Sequence, residues 1–137
     1  MTGQAYPDLL VISVDPPGEE SASVTLSSGT AEIAAFCHPC CLDAGQRIPN
    51  RLTVLDTRLL QPPYCDDWPE DEREELGRDR LVRKRRHEYV GTGTVIDADD
   101  GLVAVCGFVI DFGSLPSVRH VEFDIVRLDC DGGDLPG

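Results

Sequence analysis

The residues best suited to chemistry lie in one short run, Cys37-His38-Pro39-Cys40-Cys41. A Cys-x-x-Cys pair supplies half the ligands of many zinc sites and is also the core of thiol–disulfide enzymes. Tetrahedral zinc needs two more ligands, and the sequence offers no second Cys-x-x-Cys or His-x-His pair. Cys37 and Cys40 are therefore candidate zinc ligands, with a turn that carries buried thiols as the simpler interpretation. We expect no cofactor, with zinc as the alternative.

A thiol–disulfide enzyme also needs a sustained helix after the first cysteine, because the helix dipole lowers the pKa of that thiol. Gly45 and Pro49 follow too soon for such a helix. The longest apolar stretch near the start is Leu9 to Ile12, too short for a signal segment or a membrane-spanning helix. We therefore expect a cytoplasmic protein, without membrane association, whose six cysteines are reduced or metal-bound rather than bridged.

A second candidate site is a run of basic residues that could contact phosphates, namely Arg80, Arg83, Lys84, Arg85 and Arg86. Single-stranded nucleic acids are usually bound by basic grooves with interleaved aromatic side chains, and aromatic residues are missing from this run. The phenylalanines lie among apolar residues and are expected in the core. Weak oligonucleotide binding is therefore an alternative, and basic residues at a helix C-terminus are the preferred interpretation.

Enzyme motifs give little support to catalysis. The sequence contains no Gly-x-Ser-x-Gly elbow, His-Glu-x-x-His helix or Walker loop. Cys40 or Cys41 could combine with His120 and an aspartate, but any chain with this many cysteines and acids permits such a grouping. We therefore favour a protein that binds over one that catalyses.

Runs of branched and alternating residues predict strands, and turn residues separate them. The predicted strands cover 8–14, 23–26, 30–36, 51–60, 89–96, 102–112 and 121–125. Asp99-Asp100-Gly101 predicts a hairpin turn. Gly91 and Gly93 predict either strong coiling of their strand or a close approach of another backbone to it.

A charged excursion over residues 67–88 interrupts the strands. Acidic residues fill its first half and basic residues its second, which fits the dipole of a helix. Its few aliphatic residues predict a mostly solvated helix or a partly mobile excursion. The chain is then one domain, with a strand-rich body over 8–60 and 89–128 and a frayed tail over 129–137.

This order of strands, one helical excursion and further strands resembles the OB-fold, a five-stranded Greek-key barrel with a helix between its third and fourth strands. The resemblance covers about 8–128 and rests on element order and on the glycines of the strand after the excursion. It implies a mainly β fold, a small antiparallel OB-like barrel. Because more than five strands are predicted, a split sandwich or another small barrel is the alternative.

Charge gives the functional expectation. The chain has 137 residues and a formal net charge of −13. From Asp66 to Glu88 there are nine acids and seven bases, so the remaining sixteen acids face only five arginines. Such a body repels phosphate backbones and attracts basic surfaces. We expect a binding or regulatory module that recognises a protein partner, a basic one, through its acidic surfaces. The sequence does not set the oligomeric state.

Overall fold

A computed structural model describes residues 6–131 of the chain, and its architecture is mainly β. The described part contains one helix, α1 (Glu70–Leu76). It also contains twelve strands: β1 (Leu9–Asp15), β2 (Ala22–Ser27), β3 (Glu32–Cys37), β4 (Arg47–Ile48), β5 (Leu52–Val54), β6 (Thr57–Gln61), β7 (Arg80–Arg85), β8 (Glu88–Asp97), β9 (Leu102–Val105), β10 (Phe108–Asp111), β11 (His120–Ile125) and β12 (Leu128–Asp129).

The first three strands form an antiparallel meander, as their residue pattern predicts. In β2 the apolar residues Ala22, Val24 and Leu26 are buried, and the polar residues between them are half-buried. A period of two places alternate side chains on opposite faces, so one face of β2 packs on the core. Gly29, with φ 89°, supplies the positive φ of the turn into β3.

The strands form one sheet in the order β4-β1-β2-β3-β12-β5-β10-β9-β8-β11-β6, with β7 paired to β8 outside this path. Most neighbours are antiparallel, but β10 with β5 and β12 with β3 are parallel, so the sheet is mixed. Among the described strands, β4 and β6 end the path without pairing to each other, and the sheet is not closed into a barrel. The mainly β class is confirmed, whereas the structure corrects the purely antiparallel barrel of the OB-like expectation.

Two long strands bend, and the bends explain the mixed pairing. Residues 51–60 were expected as one strand, but Leu55 and Asp56 separate β5 from β6. Val126 and Arg127 separate β11 from β12 in the same way. The bends face each other: the Leu55 amide donates to the Arg127 carbonyl at 3.0 Å, and the Val126 amide donates to the Asp56 carbonyl at 2.9 Å. Each bend sends one half of its strand to a different part of the sheet.

The apolar run 102–112 forms a hairpin, where a single return strand was expected. Cys106 and Gly107 both have positive φ, 52° and 84°, which turns β9 back into β10. Two consecutive positive φ values are the signature of a tight hairpin turn. Tertiary contacts hold the Cys106 turn: its amide donates to the Asp79 carboxylate at 2.9 Å, and its carbonyl accepts from the Ser28 hydroxyl at 2.8 Å.

The charged excursion contains a helix only in its acidic half. α1 ends at Leu76, and Arg80–Arg85 form β7, which pairs antiparallel with β8. The expected helix over 67–88 is therefore corrected beyond Leu76. The edge of β8 offers β7 a ladder, and Leu81 packs against the core from this strand. Local charge pattern cannot report such a ladder, because the ladder depends on a strand that comes later in the chain.

Glycines in β8 allow the close approach that the sequence predicts. A Cβ at Gly91 would overlap the carbonyl oxygen of Arg80 in β7, and a Cβ at Gly93 would lie 2.6 Å from the Val103 side chain in β9. The prediction for these two glycines is confirmed.

The core is formed mainly by apolar side chains of the strands. Its largest fully buried side chains come from most of the strands: Phe108, Phe123, Leu9, Leu26, Leu52, Ile110, Ile125, Leu128, Val11, Val24, Val103 and Val105. The tail begins later than expected, because Asp129 belongs to β12 and Cys130 is buried. The rest of the predicted tail, 132–137, lies outside the described residues. The one helix within residues 6–131 is too short and too polar to span a membrane.

Candidate functional site

The predicted cysteine pair lies at the end of β3, where the structure adds a third thiol. Cys37 is completely buried, and Cys40 is half-buried. The Cys130 amide donates to the Phe36 carbonyl at 2.9 Å, which places Cys130 beside Cys37 across the β3–β12 pair. Sequence spacing could not show this neighbour, because the two cysteines are far apart in the chain and meet only through the parallel pairing.

The buried thiols of Cys37 and Cys130 are protonated near neutral pH, because their pKa values are raised. Burial raises the pKa of Cys37 far above its usual value, and contacts with Cys40 and Cys130 raise it further. Burial also raises the pKa of Cys130 to about 12. The six cysteines are free thiols. In the part of the chain that the structure describes, no three His, Cys, Asp or Glu side chains are arranged to hold a metal ion. Zinc at Cys37 and Cys40 stays a prediction, which native mass spectrometry of protein purified without chelator would test.

The predicted basic residues lie on β7 and its turn, not on a helix. Lys84 is paired with Asp124 at 3.2 Å, and Arg85 with Glu88 at 3.4 Å. Arg80, Arg83 and Arg86 have no carboxylate within ion-pair distance among the described residues. The structure therefore divides the basic run into two side chains with ion pairs and three without a carboxylate partner among the described residues, of which Arg83 donates through Nε to the Arg86 carbonyl at 2.6 Å.

A polar cluster surrounds Phe36, which is half-buried rather than a core residue. The Arg127 guanidinium lies 4.2 Å from the centre of the Phe36 ring and forms a forked ion pair with Asp129 at 2.7 and 2.9 Å. His87 packs edge-on against the same ring, and its Nε2 lies 2.9 Å from the Ser23 hydroxyl. Because these polar groups already have partners within the cluster, they stabilise the surface and leave little for a ligand.

A cleft lies between α1 and the segment that leads into β11. It encloses about 220 Å³. At its base the Tyr64 hydroxyl lies 2.7 Å from Nδ1 of His120. His120 is buried, with an exposure of 9%. Its lining combines polar and apolar groups, with the polar ones in the majority: Pro62, Tyr64, Asp66, Glu70, Arg73, Glu74, Ser117, Val118, Arg119 and His120.

Three elements position the Tyr64–His120 pair. β11 begins at His120, the segment after β6 carries Tyr64, and Gly77 ends α1 against the imidazole. A Cβ at Gly77 would lie 2.7 Å from the His120 ring, so only glycine lets the end of the helix pack directly on it. Burial lowers the pKa of His120, and the Arg119 charge lowers it further. The imidazole is therefore neutral near pH 7.

This geometry suits recognition better than catalysis. A neutral histidine can act as a general base, but its Nδ1 is already engaged by a tyrosine hydroxyl. The cysteines that the sequence analysis grouped with His120 are absent from the cleft lining. Three carboxylates and two arginines give the lining a net negative charge. Sequence reasoning missed this site, because its residues come from three separate segments and no motif connects them.

The chain matches no protein-family model, and neither a curated protein nor a solved structure is significantly similar to it.

Proposed function

We propose that this protein is a non-enzymatic recognition module that binds a basic protein partner at its acidic face, with a lysine or arginine side chain of the partner in the Tyr64–His120 cleft. The cleft, bordered by Asp66, Glu70 and Glu74, is the observation that carries this proposal. Carboxylates around a concave site attract and orient a cationic group.

Size favours a single side chain as the occupant. Pockets for cofactors and drug-sized ligands usually enclose about 300–1,000 Å³. The cleft encloses about 220 Å³, less than that range. A lysine or arginine side chain fits such a space, with its aliphatic stem against Tyr64 and Val118 and its charged end near the carboxylates.

The surroundings of the cleft extend the negative surface. Residues 66–76 contain seven carboxylates and one arginine. Among the described residues, only Glu75 of these seven forms an ion pair, with Arg78 at 3.2 Å. The single arginine, Arg73, donates instead to the Trp68 carbonyl at 2.9 Å. Six carboxylates are therefore available to a basic surface.

An aromatic anchor lies on the same segment. The Trp68 side chain is 41% exposed, and so is that of Leu76. Exposed tryptophan is characteristic of protein-binding hot spots and pairs well with the cationic groups of lysine and arginine. The combination of carboxylates, a cleft and an exposed tryptophan favours a basic protein surface over a nucleic acid, whose phosphates this face would repel.

The test is an NMR titration of the ¹⁵N-labelled protein with Nα-acetyl-arginine amide and Nα-acetyl-lysine amide. We expect weak binding, with a Kd of about 1 mM, since the probe contributes one side chain. Shift changes should centre on Tyr64, Glu74 and His120. Nα-acetyl-norleucine amide, which lacks the charge, should cause none. Equal changes with the uncharged probe, or changes elsewhere on the surface, would contradict the proposal.

Matched variants separate the cleft from the overall charge. The Glu70→Gln, Glu74→Gln double variant should weaken binding of the arginine probe about fivefold or more, because each lost ion pair contributes up to about 1 kcal/mol. The Asp99→Asn, Asp100→Asn variant removes the same charge from an exposed hairpin turn and should bind as the original protein does. Equal weakening in both variants would show that the overall negative charge of the protein, and not the cleft, attracts the probe.

A further inference from the structure

β7 is an edge strand with one edge open. It pairs with β8 and, among the described strands, with no other. Its side chains are mostly exposed, and Val82 is 48% exposed. An open edge presents backbone N–H and C=O groups that can pair with another strand.

The edge of β3 opposite β2 is also incompletely paired. β12 covers it only at Phe36. Farther along, the backbone amide of Ala34 donates to the Tyr89 hydroxyl at 2.8 Å, in place of a strand partner. Tyr89 is buried and extends from β8, the strand to which β7 is paired. A side chain therefore fills the position where the sheet would otherwise continue.

A groove of about 320 Å³ lies between these two edges. Thr25 of β2 and Glu32, Ile33 and Ala34 of β3 line one side, and Leu81 and Arg83 of β7 and Tyr89 of β8 line the other. The groove is thus an interruption in the sheet with a mainly polar lining, in which Ile33 and Leu81 are the large aliphatic residues.

The charge of β7 indicates what could lie there. Arg83 faces the groove with Leu81, and Arg80 lies on the opposite face, beside Thr92 and Glu122. Each face of the strand therefore carries an arginine that has no carboxylate partner within ion-pair distance among residues 6–131. An added strand would meet one of these arginines whichever face carries its acids.

We propose that the groove between β3 and β7 binds an extended acidic segment of a partner protein, which adds as a strand to the open edge of β7. Strand addition gives affinity through backbone hydrogen bonds, and the alternating side chains give specificity. Apolar side chains of the segment would contact Leu81 and Ile33 on the groove face, and its carboxylates, on the opposite face, would pair with Arg80. This site is separate from the acidic cleft, so either can fail without the other.

Other occupants fit the groove less well. A nucleic acid needs exposed aromatic rings for its bases, and the one aromatic ring that lines the groove, Tyr89, is buried with its hydroxyl engaged. A second copy of β7 would bring a strand of the same positive charge to this edge. An acidic strand satisfies both the open backbone edge and Arg80.

The test uses a fluorescein-labelled peptide, Val-Glu-Val-Glu-Val-Glu, and measures fluorescence anisotropy. We expect saturable binding, together with slower hydrogen exchange of the β7 amides. A peptide with proline at the central valine cannot complete the ladder and should bind at least about fivefold more weakly. A peptide with lysine in place of glutamate should not bind. Equal binding of the proline peptide, or unchanged exchange in β7, would overturn strand addition.

Charge-matched variants complete the test. The Arg80→Gln, Arg83→Gln variant should weaken binding of the acidic peptide about fourfold, as expected for the loss of one exposed ion pair. The Lys84→Gln, Arg85→Gln variant loses the same charge from side chains already paired within the protein and should bind within about twofold of the original. Equal losses would overturn the assigned arginines. Binding of hexathymidylate in place of the peptide would overturn the class of partner. The arginine-amide titration of the cleft is unaffected by any of these results.

Discussion

The two halves of the charged segment between β6 and β8 have similar exposure but are held in place in different ways. α1 buries none of its own residues. It is fixed at its end, where Gly77 packs on His120. β7 is fixed along its length by the ladder to β8 and by Leu81 on the core. An exposed, highly charged segment can therefore be helix or strand according to which neighbour supplies hydrogen bonds and packing.

The opposite charges give these two halves different binding surfaces. The acidic half borders a cleft with a buried histidine beneath it. The basic half presents an open backbone edge beside a groove. If this contrast is correct, changes at the attachment of one half should leave the other half intact, and the experiments below test it from the largest expected effect to the smallest.

Gly91→Ala should be the most disruptive change, because its Cβ would overlap the Arg80 carbonyl in β7. We expect a loss of about 2–3 kcal/mol in the free energy of unfolding, measured by urea denaturation, since backbone cannot yield as a side chain can. Gly29→Ala is the matched control: its φ is 89° and the space around it is open, so about 1 kcal/mol is expected. Equal losses would show that β7 is not held closely against Gly91.

Gly77→Ala should have a smaller effect on stability and a specific effect on the cleft. Its Cβ would lie 2.7 Å from the His120 ring, which can move in response. We expect a loss of about 1–2 kcal/mol and weaker binding of the arginine probe, with acidic-peptide binding at β7 retained. Glu75→Ala, on the same helix, should cost less than about 0.5 kcal/mol and leave the cleft unchanged. Loss of acidic-peptide binding in Gly77→Ala would show that the two halves do not bind independently of each other.

Each half also has a partly buried histidine, and both should make stability depend on pH. Burial lowers the pKa of His120 under α1 and of His87 after β7, from 6.5 in each case. On acidification the unfolded chain binds these protons first, so stability falls as the pH drops through about 6.5. Urea titrations at pH 7.5, 6.5 and 6.0 should show this fall. The His87→Asn, His120→Asn double variant should flatten the profile, and an unchanged slope would contradict the assignment.

The smallest expected effect concerns two cysteines that flank the halves. Cys65, before α1, is exposed. Cys106, beside the start of β7, is half-buried, and burial together with the Asp79 charge raises its pKa. Because the thiolate is the reactive form, a disulfide reagent should label Cys65 several times faster than Cys106 at pH 8. Peptide mapping after brief labelling gives the ratio, and equal rates would mean that the β9–β10 turn is not held against Asp79.

The comparison also shows where sequence reasoning succeeded. Alternation in β2 and β11 and the turn residues at Asp99-Asp100-Gly101 predicted real elements, because their patterns report burial and local backbone conformation directly. The prediction of a single strand over 102–112 was wrong, because a Cys-Gly pair inside an apolar stretch is not a strong turn signal. Its reversal depends on contacts with Ser28 and Asp79, which no local window contains.

For the candidate sites too, the sequence predicted local features and missed those that depend on distant contacts. The sequence identified Cys37, Cys40 and the basic run by residue type, and it placed the basic run on a helix where the structure has β7. Cys130 reaches Cys37 only through a parallel strand pair. Tyr64 and His120 carry no motif, and their contact depends on where β6 ends and β11 begins. Long-range pairings of this kind are set by the whole sheet.

Composition and local pattern by themselves determined the mainly β class, the strong negative charge and the division of the excursion into an acidic and a basic half. These properties depend on residue types and on periods of two, which any stretch of chain carries within itself. The tertiary structure alone decided that the basic half is a strand, that the sheet is mixed and open, and which side chains share a cleft or a groove. Those outcomes depend on hydrogen bonds and packing between segments that are far apart in the chain. The free energy of such contacts cannot be inferred from the sequence of any one segment.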